Sequence, residues 1–457
     1  MMIRIAVASF LLAAIAPLAT ADDEVGVDRP SFVVLVTDDQ RWDTLGCTGH
    51  AVLRTPNIDR LAAGGVLFRN AFVTTSICCI SRASLMTGRY GRSHGVADFQ
   101  TALTPELLAA TYPALLHEAG YRTGCLGKWG IGGPAPEGVF DVWQAWGGQG
   151  EFFETIDGQE VHNSELLAGW AVDFLKTVPK DQPFCLVVNY KSPHEPFLPD
   201  PRDAPLFAEN QFPVPATYNQ AHFETLPALI RESEGRIRLE RRHPTPETYQ
   251  EFVRQYLRCL AGVDRSVGQI LDVLDELRLA DQTVVVYTSD HGFFLGEHGL
   301  SGKWLMHEES IRVPLIVRDP ALPAERRGKT SDELVLNLDL APTIIDLAGL
   351  PAPAGTDGGS LRPMLAGEQA DWRQDFFYEH HFHYGGRIPR TEGVRTKEWK
   401  YITYFDVEPA HEELYELARD PLEERNLAGD PAFHDRLHAM RGLHRQYLER
   451  LPPAVVP

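Results

Sequence analysis

Ser31-Phe32-Val33-Val34-Leu35-Val36-Thr37 is an apolar run rich in β-branched side chains that leads straight into Asp38-Asp39-Gln40. A run without polar alternation has the pattern of a strand covered on both faces, the situation of a parallel sheet. Open α/β sheets collect their ligands at the carboxyl ends of such strands. Two adjacent carboxylates there repel each other unless a cation lies between them, and a hard divalent ion is the economical partner. Taken alone, Asp38-Asp39 reads more plainly as a solvated turn.

Working outward, the same grammar repeats. Apolar strands are expected at 121–126, 184–190, 283–288 and 312–318, with a connecting strand at 68–73. Helices are expected at 57–64, 104–119, 166–177, 256–277 and 339–348. Alternating strands and helices predict an α/β sheet with helices on both faces. The strands run into polar groups: Gly127-Lys128-Trp129-Gly130, Lys191-Ser192-Pro193-His194 and Ser289-Asp290-His291-Gly292. Hard oxygen donors from Asp38, Asp39 and Asp290 suit Ca²⁺, and His291, a nitrogen donor, is the weakest member of that set. Residues 192–217, rich in Pro and Asp, read as a long loop. Arg231, Arg236, Arg238, Arg241 and Arg242 form the densest basic cluster, read as a solvated helix face or a polyanion contact. Composition shifts at 363–372, beyond which 392–402 and 413–417 look antiparallel and a helix runs through Tyr447. The division expected is 1–21 as an export signal, 30–365 as a catalytic domain and 373–455 as a smaller antiparallel sheet-plus-helix domain.

At 457 residues, 44% apolar and 23% charged, the chain has ordinary globular composition, and its net charge of -20 argues against nucleic acid and anionic membrane as partners. Arg4, the apolar run 5–16 and Ala19-Thr20-Ala21 have the form of a cleaved export signal, which predicts a periplasmic or secreted protein with no membrane span when mature. An exported protein could pair some of its six cysteines, and their spacing does not form a zinc site.

The run Ser76-Ile77-Cys78-Cys79-Ile80-Ser81-Arg82-Ala83-Ser84-Leu85-Met86-Thr87-Gly88-Arg89 reads as a short helix, with Thr74, Thr75 and Ser76 as candidate caps and Gly88 as the stop. Cys78 then sits at the helix mouth with Arg82 one turn along the same face, an arrangement that favours a bound oxyanion. The bland alternative is a buried cysteine pair.

The whole string resembles the sulfatase signature, Cys-x-Pro/Ala-Ser-Arg followed by x-x-Leu-x-x-Gly-Arg, through Cys78, Ser81, Arg82, Leu85, Gly88 and Arg89. Gly127-Lys128-Trp129, Pro193-His194-Glu195-Pro196, Asp290-His291 and Lys303 follow in family order. The resemblance implies an alkaline-phosphatase-like fold and hydrolysis of sulfate esters, on a polysaccharide or glycosaminoglycan of the heparan or mucin type. The string His380 to Arg395, with its His, Tyr and Arg, then reads as a source of sugar specificity or as an ordinary interdomain seam. It implies that a formylglycine-generating enzyme oxidises Cys78, and that the hydrated aldehyde attacks sulfur. One Ca²⁺ would be held by Asp38, Asp39, residue 78, Asp290 and His291. It further implies that Arg82 and calcium activate the nucleophile with Asp290 as base, that Lys128 and Lys303 hold the sulfate, and that His194 protonates the leaving alcohol. Two positions depart: Ile80 replaces Pro or Ala, and Gly130 replaces the histidine usually assigned to releasing sulfate. A histidine restored at 130 is expected to leave turnover in place if the pocket has room. The rival readings are a phosphomonoester or phosphodiester hydrolase on the same scaffold, and an unmodified, inactive glycan-binding protein.

Overall fold

A computed structural model describes residues 29–368 and 371–456, so the expected export segment lies outside the described residues. Strand β1 (Ser31–Thr37) is buried along its whole length. Its side chains alternate between two cores, Phe32, Val34 and Val36 on one side and Val33 and Leu35 on the other. That is why the run shows no polar period.

The large sheet adds β2 (Val66–Phe68), β3 (Arg122–Lys128), β4 (Val142–Trp146), β5 (Phe184–Asn189), β6 (Thr283–Ser289), β7 (Leu315–Arg318) and β8 (Lys329–Ser331), in the order β8-β2-β7-β6-β1-β5-β3-β4. The strands from β6 to β4 are all parallel, and β7 runs against both its neighbours. The main helices are α1 (Pro56–Gly64), α2 (Cys78–Thr87), α3 (Asn163–Lys176), α4 (Glu234–Arg242), α5 (Pro246–Glu276), α6 (Leu340–Leu347) and α7 (His434–Arg450). Apolar faces of α1, α3 and α5 fill one core, and α2 and α6 belong to the other. A separate antiparallel sheet, β9 (Asp375–His380), β10 (Thr391–Thr396), β11 (Trp399–Tyr404) and β12 (His411–Glu416), joins consecutive neighbours and carries α7. Phe376, Tyr378 and Val394 of this sheet share the core of α2. The mixed, mostly parallel α/β architecture with a smaller antiparallel sheet agrees with the expectation.

Several elements differ, each for a local reason. The single helix expected at 104–119 is two, Pro105–Ala109 and Tyr112–Glu118, because Pro113 belongs in a first turn and the chain restarts at Thr111. The strand expected at 312–318 is interrupted at Pro314: Arg312–Val313 pairs with Ala71–Phe72, and only β7 enters the large sheet. The connecting strand at 68–73 divides in the same way. Helix α5 starts well before the expected 256, where Thr245 and Thr248 form a capping box and Pro246 occupies the first turn. Strand β4 was not foreseen; it is a half-exposed edge and carries no apolar run. All six cysteines are unpaired, so none of the pairings an exported protein could form is present among the described residues.

Candidate active site

Strands β6, β1, β5 and β3 lie side by side and deliver their carboxyl ends to one place. Asp290 and His291 follow β6, Asp38 and Asp39 follow β1, Asn189 ends β5 and Lys128 ends β3. Gly127 makes the last pairing possible, since a Cβ there would lie 2.0 Å from the Asn189 carbonyl oxygen. Asp39 adopts φ 68°, a left-handed conformation costing a non-glycine residue on the order of 1 kcal/mol. Its N–H donates to Asp290 Oδ1 at 3.3 Å and its carbonyl accepts the Tyr256 hydroxyl at 2.9 Å, which hold it there.

Helix α2 brings Cys78 to the same edge. Its Sγ lies 3.3 Å from His291 Nε2, 3.5 Å from Lys303 Nζ and 3.7 Å from Asp38 Oδ1. One turn on, the Arg82 guanidinium bridges the strand ends. Nε donates to Asp290 Oδ2 at 2.9 Å, Nη2 to Asp38 Oδ2 at 3.3 Å, and Nη1 to Asn189 Oδ1 at 2.9 Å and the Lys128 carbonyl at 3.0 Å. Lys128 Nζ contacts Asp38 Oδ2, and Lys303 Nζ donates to Asp39 Oδ1 at 2.7 Å. His194 Nε2 stands 3.8 Å from Asp39 Oδ2, while its Nδ1 lies 2.6 Å from the Glu195 carbonyl. The structure therefore brings together Cys78, Arg82, Lys128, His194, Lys303, Asp290, Asp38, Asp39 and His291.

The cap at α2 is a correction. The N-cap is Ile77, and no side chain caps the helix start. Ser76 turns away, its Oγ 2.6 Å from the Tyr378 hydroxyl. Gly88 does stop the helix, at φ 68°. Ile80 packs into the core, 5% exposed.

Charge in the site is divided. Burial raises the Asp39 carboxyl, with Asp38 and Asp290 adding to it against Lys303 and His291. Burial lowers the His291 imidazole, but Asp290 foremost reverses this and lifts it to about 9. The lift of His291 marks the negative charge of Asp290 beside it, while the rise of Asp39 is the cost of holding a carboxylate away from water. On the other side, burial and Lys303 hold His194 well below its ordinary value. Burial also opposes ionisation of Asp38, yet Lys128, His194 and Arg82 keep its carboxyl well below the usual range. A cation position thus adjoins an anion position. One ligand atom each from Asp38, Cys78, Asp290 and His291 fall within 4.8 Å of one another, as do Asp38, Asp39 and His194. The three carboxylates among these residues are the donors that fit a hard divalent ion, while the Cys78 sulfur and the two imidazoles are not.

Gly130 does not meet the condition of room on which a restored histidine depended. It sits at φ 74°, and a Cβ there would lie 2.8 Å from Arg82 Cδ and 3.5 Å from Lys128 Cε. The room a histidine needs at 130 is taken by the arginine itself.

A cavity of about 220 Å³ opens over Cys78. Besides Cys78, His194 and Lys303, it is lined by Gln149 and Trp304, which site reasoning from the sequence did not assign, and by Arg238, Phe382 and Tyr384. Gln149 Oε1 is buried without a partner, an acceptor turned to no protein donor. Arg238 was visible in the basic cluster, while Phe382 and Tyr384 fall in the string 380–395 between β9 and β10, the stretch read for sugar specificity or as a seam.

Among the described residues no helix is long and apolar enough to cross a membrane. The family description "Sulfatase" matches residues 30–350, and "N-sulphoglucosamine sulphohydrolase, C-terminal" matches 296–449. An N-acetylglucosamine-6-O-sulfatase of Bacteroides thetaiotaomicron is 29% identical, covering 93% of this chain and 88% of that protein. An extracellular sulfatase SULF-1 homolog of Drosophila melanogaster is 30% identical over 77% of this chain and 33% of its own length. A solved structure in complex with its substrate, D-glucosamine-2-N,6-O-disulfate, superposes with a TM-score of 0.80 at 28% identity, covering 93% of this chain and 98% of the other.

Proposed function

The chain belongs to the sulfatase family and hydrolyses sulfate esters of sugars, and we propose that it removes a 6-O-sulfate from a glucosamine-type unit of a glycosaminoglycan, using oxidised Cys78 and one Ca²⁺. The relatives that act on 6-O-sulfated glucosamines support the sugar. The observation that carries the reading is the position of Cys78 Sγ, which stands in for the oxygens of the oxidised side chain, between His291, Lys303 and Asp38.

Asp38, Asp39, Asp290 and His291 would hold the ion, with residue 78 beside them. When present, formylglycine supplies a hydrated aldehyde as nucleophile and calcium a Lewis acid for a sulfate oxygen. The rest falls to the chain's own side chains. Arg82 fixes the Asp38 and Asp290 carboxylates beside residue 78 and adds positive charge there. Asp290 is the proposed base. Lys128 and Lys303, which rest on Asp38 and Asp39, would offer their ammonium groups to the sulfate oxygens. The Glu195 carbonyl accepts from His194 Nδ1 and leaves Nε2 toward the site. A bound anionic ester opposes the depression of that ring by burial and Lys303, so His194 can carry a proton to the leaving alcohol. Gly130 supplies no base, so sulfate release falls to another group.

Residues 1–21 have the form of an export signal and a Drosophila relative is named extracellular, which supports a periplasmic or secreted location with maturation by a formylglycine-generating enzyme. Mass spectrometry of the peptide containing residue 78, beside turnover of N-acetylglucosamine 6-sulfate with and without chelator, tests the proposal. The expected result is a formylglycine mass and chelator-sensitive turnover. An unmodified thiol in active enzyme, or an aryl phosphate cleaved faster than the sulfate, would overturn it.

A further inference from the structure

Beside the cavity over Cys78 lies a larger one of about 650 Å³, and His194 and Arg238 line both. Helix α4 forms one wall of it through Arg238, Arg241 and Arg242, and Phe197 and Phe252, with ring centroids 4.8 Å apart, form an apolar floor. The acids facing these arginines are Glu195, which contacts Arg242 and lies 3.8 Å from Arg238, and Glu234, which accepts from Arg238 at 2.7 Å. Glu251 on the rim pairs instead with Arg254 and Arg258. That leaves three guanidinium groups against two carboxylates, and the exposed Arg241 has no ion-pair partner among the described residues. In a chain of net charge -20 such a surplus is out of character. Aromatic rings receive the C–H face of a pyranose, and a free guanidinium receives a carboxylate or sulfate in a two-pronged contact.

We propose that this cleft is a second sugar subsite, which takes the residue next to the one being desulfated and selects for an anionic group on it. The proposal rests on the sulfatase reading and sharpens it: the preferred substrate is an acidic di- or oligosaccharide rather than a lone sulfated sugar. Arg241 supplies the open charge, Arg238 and Arg242 the flanking ones, and burial, which pulls Arg242 down to about 10, makes an incoming anion more welcome.

The test compares kcat/KM for two disaccharides with the same 6-sulfated N-acetylglucosamine, linked in one to a uronic acid and in the other to a neutral hexose. A disaccharide with a sulfated neutral hexose separates sulfate from carboxylate as the group recognised. At low salt the acidic partner should be favoured about tenfold, the effect of one charged hydrogen bond. That ratio should fall toward one in Arg241→Glu and with rising ionic strength. Lys180→Glu, an exposed change ahead of β5, should leave it as it was. A ratio near one in the wild type, or one that Arg241→Glu does not move, overturns the subsite. Binding of the desulfated uronate disaccharide, followed by calorimetry, separates the two levels. Arg241-dependent binding without cleavage of any ester would retain the cleft and sink the sulfatase reading; cleavage without preference would do the reverse.

Discussion

Two buried ionic clusters make an instructive pair. At the carboxyl edge of the large sheet, Asp38, Asp39 and Asp290 meet Arg82, Lys128 and Lys303 around Cys78. Where the small sheet meets the catalytic part, Glu308 and Glu423 meet Arg395 and Lys400. Both are almost sealed from water. The seam pairs its charges with one another, although Lys400 Nζ and Glu423 Oε1 make no well-directed hydrogen bond. Lys400 Nζ lies 2.9 Å from Glu308 and 2.6 Å from Glu423, Arg395 pairs with Glu308 at 2.9 Å, and the Glu308 N–H donates to Glu423. The sheet edge instead crowds acids with acids, strains Asp39 and opens into a cavity. A cluster whose charges pair only with one another supports structure; one that opens onto a cavity beside a candidate nucleophile supports chemistry.

That contrast predicts opposite failures. Asp290→Asn should lower kcat/KM by about 10³-fold, while the protein still unfolds cooperatively at nearly the same temperature, because Arg82 keeps Asp38 and Asn189 as partners. Collapse of the fold in that variant would break the comparison. Lys400→Met should do the reverse, costing about 3 kcal/mol by chemical denaturation as Glu423 loses its cation. KM for the folded fraction should not move, and a changed KM would make the seam part of the site. Smaller still, Gly130→Ala tests whether the arginine bridge tolerates displacement. The left-handed backbone and the 2.8 Å approach to Arg82 Cδ predict a loss of about tenfold in kcat. Unaltered kcat would show that Arg82 can shift without consequence.

Much of the first cluster was legible in the sequence and none of the second was. Asp38 and Asp290 each stand just past an apolar strand, and parallel pairing obliges neighbouring strands to finish on one edge, so local pattern carried their long-range position; Lys128 and His194 were legible only through their match to the family's motifs. Glu308, Lys400 and Glu423 come from a short helix, an antiparallel strand and a turn, and their partners are set by how two sheets dock, which no spacing encodes. The same limit hid Gln149 and Trp304, whereas Phe382 and Tyr384 lie in the string 380–395 that the sequence offered for sugar specificity. The lack of a side-chain cap on α2 was misread because Ser76 has the chemistry of a cap; its hydroxyl is engaged by Tyr378 from the other sheet. At Gly130 the sequence showed that an imidazole was missing but not that Arg82 fills its place, since the backbone sign of φ leaves no trace in composition.

Cys78 and Cys79 are neighbours of identical chemistry, yet a helix sets them about 100° apart. Cys79 lies within the α2 core, and its thiol is pushed up by burial. Cys78 faces the pocket but shows only 1% of its surface. On the proposed maturation, an enzyme large enough to grip the flanking chain would find no handle on the folded protein. Its opportunity would come while the polypeptide is still open, before the strand ends converge and shut the door on residue 78.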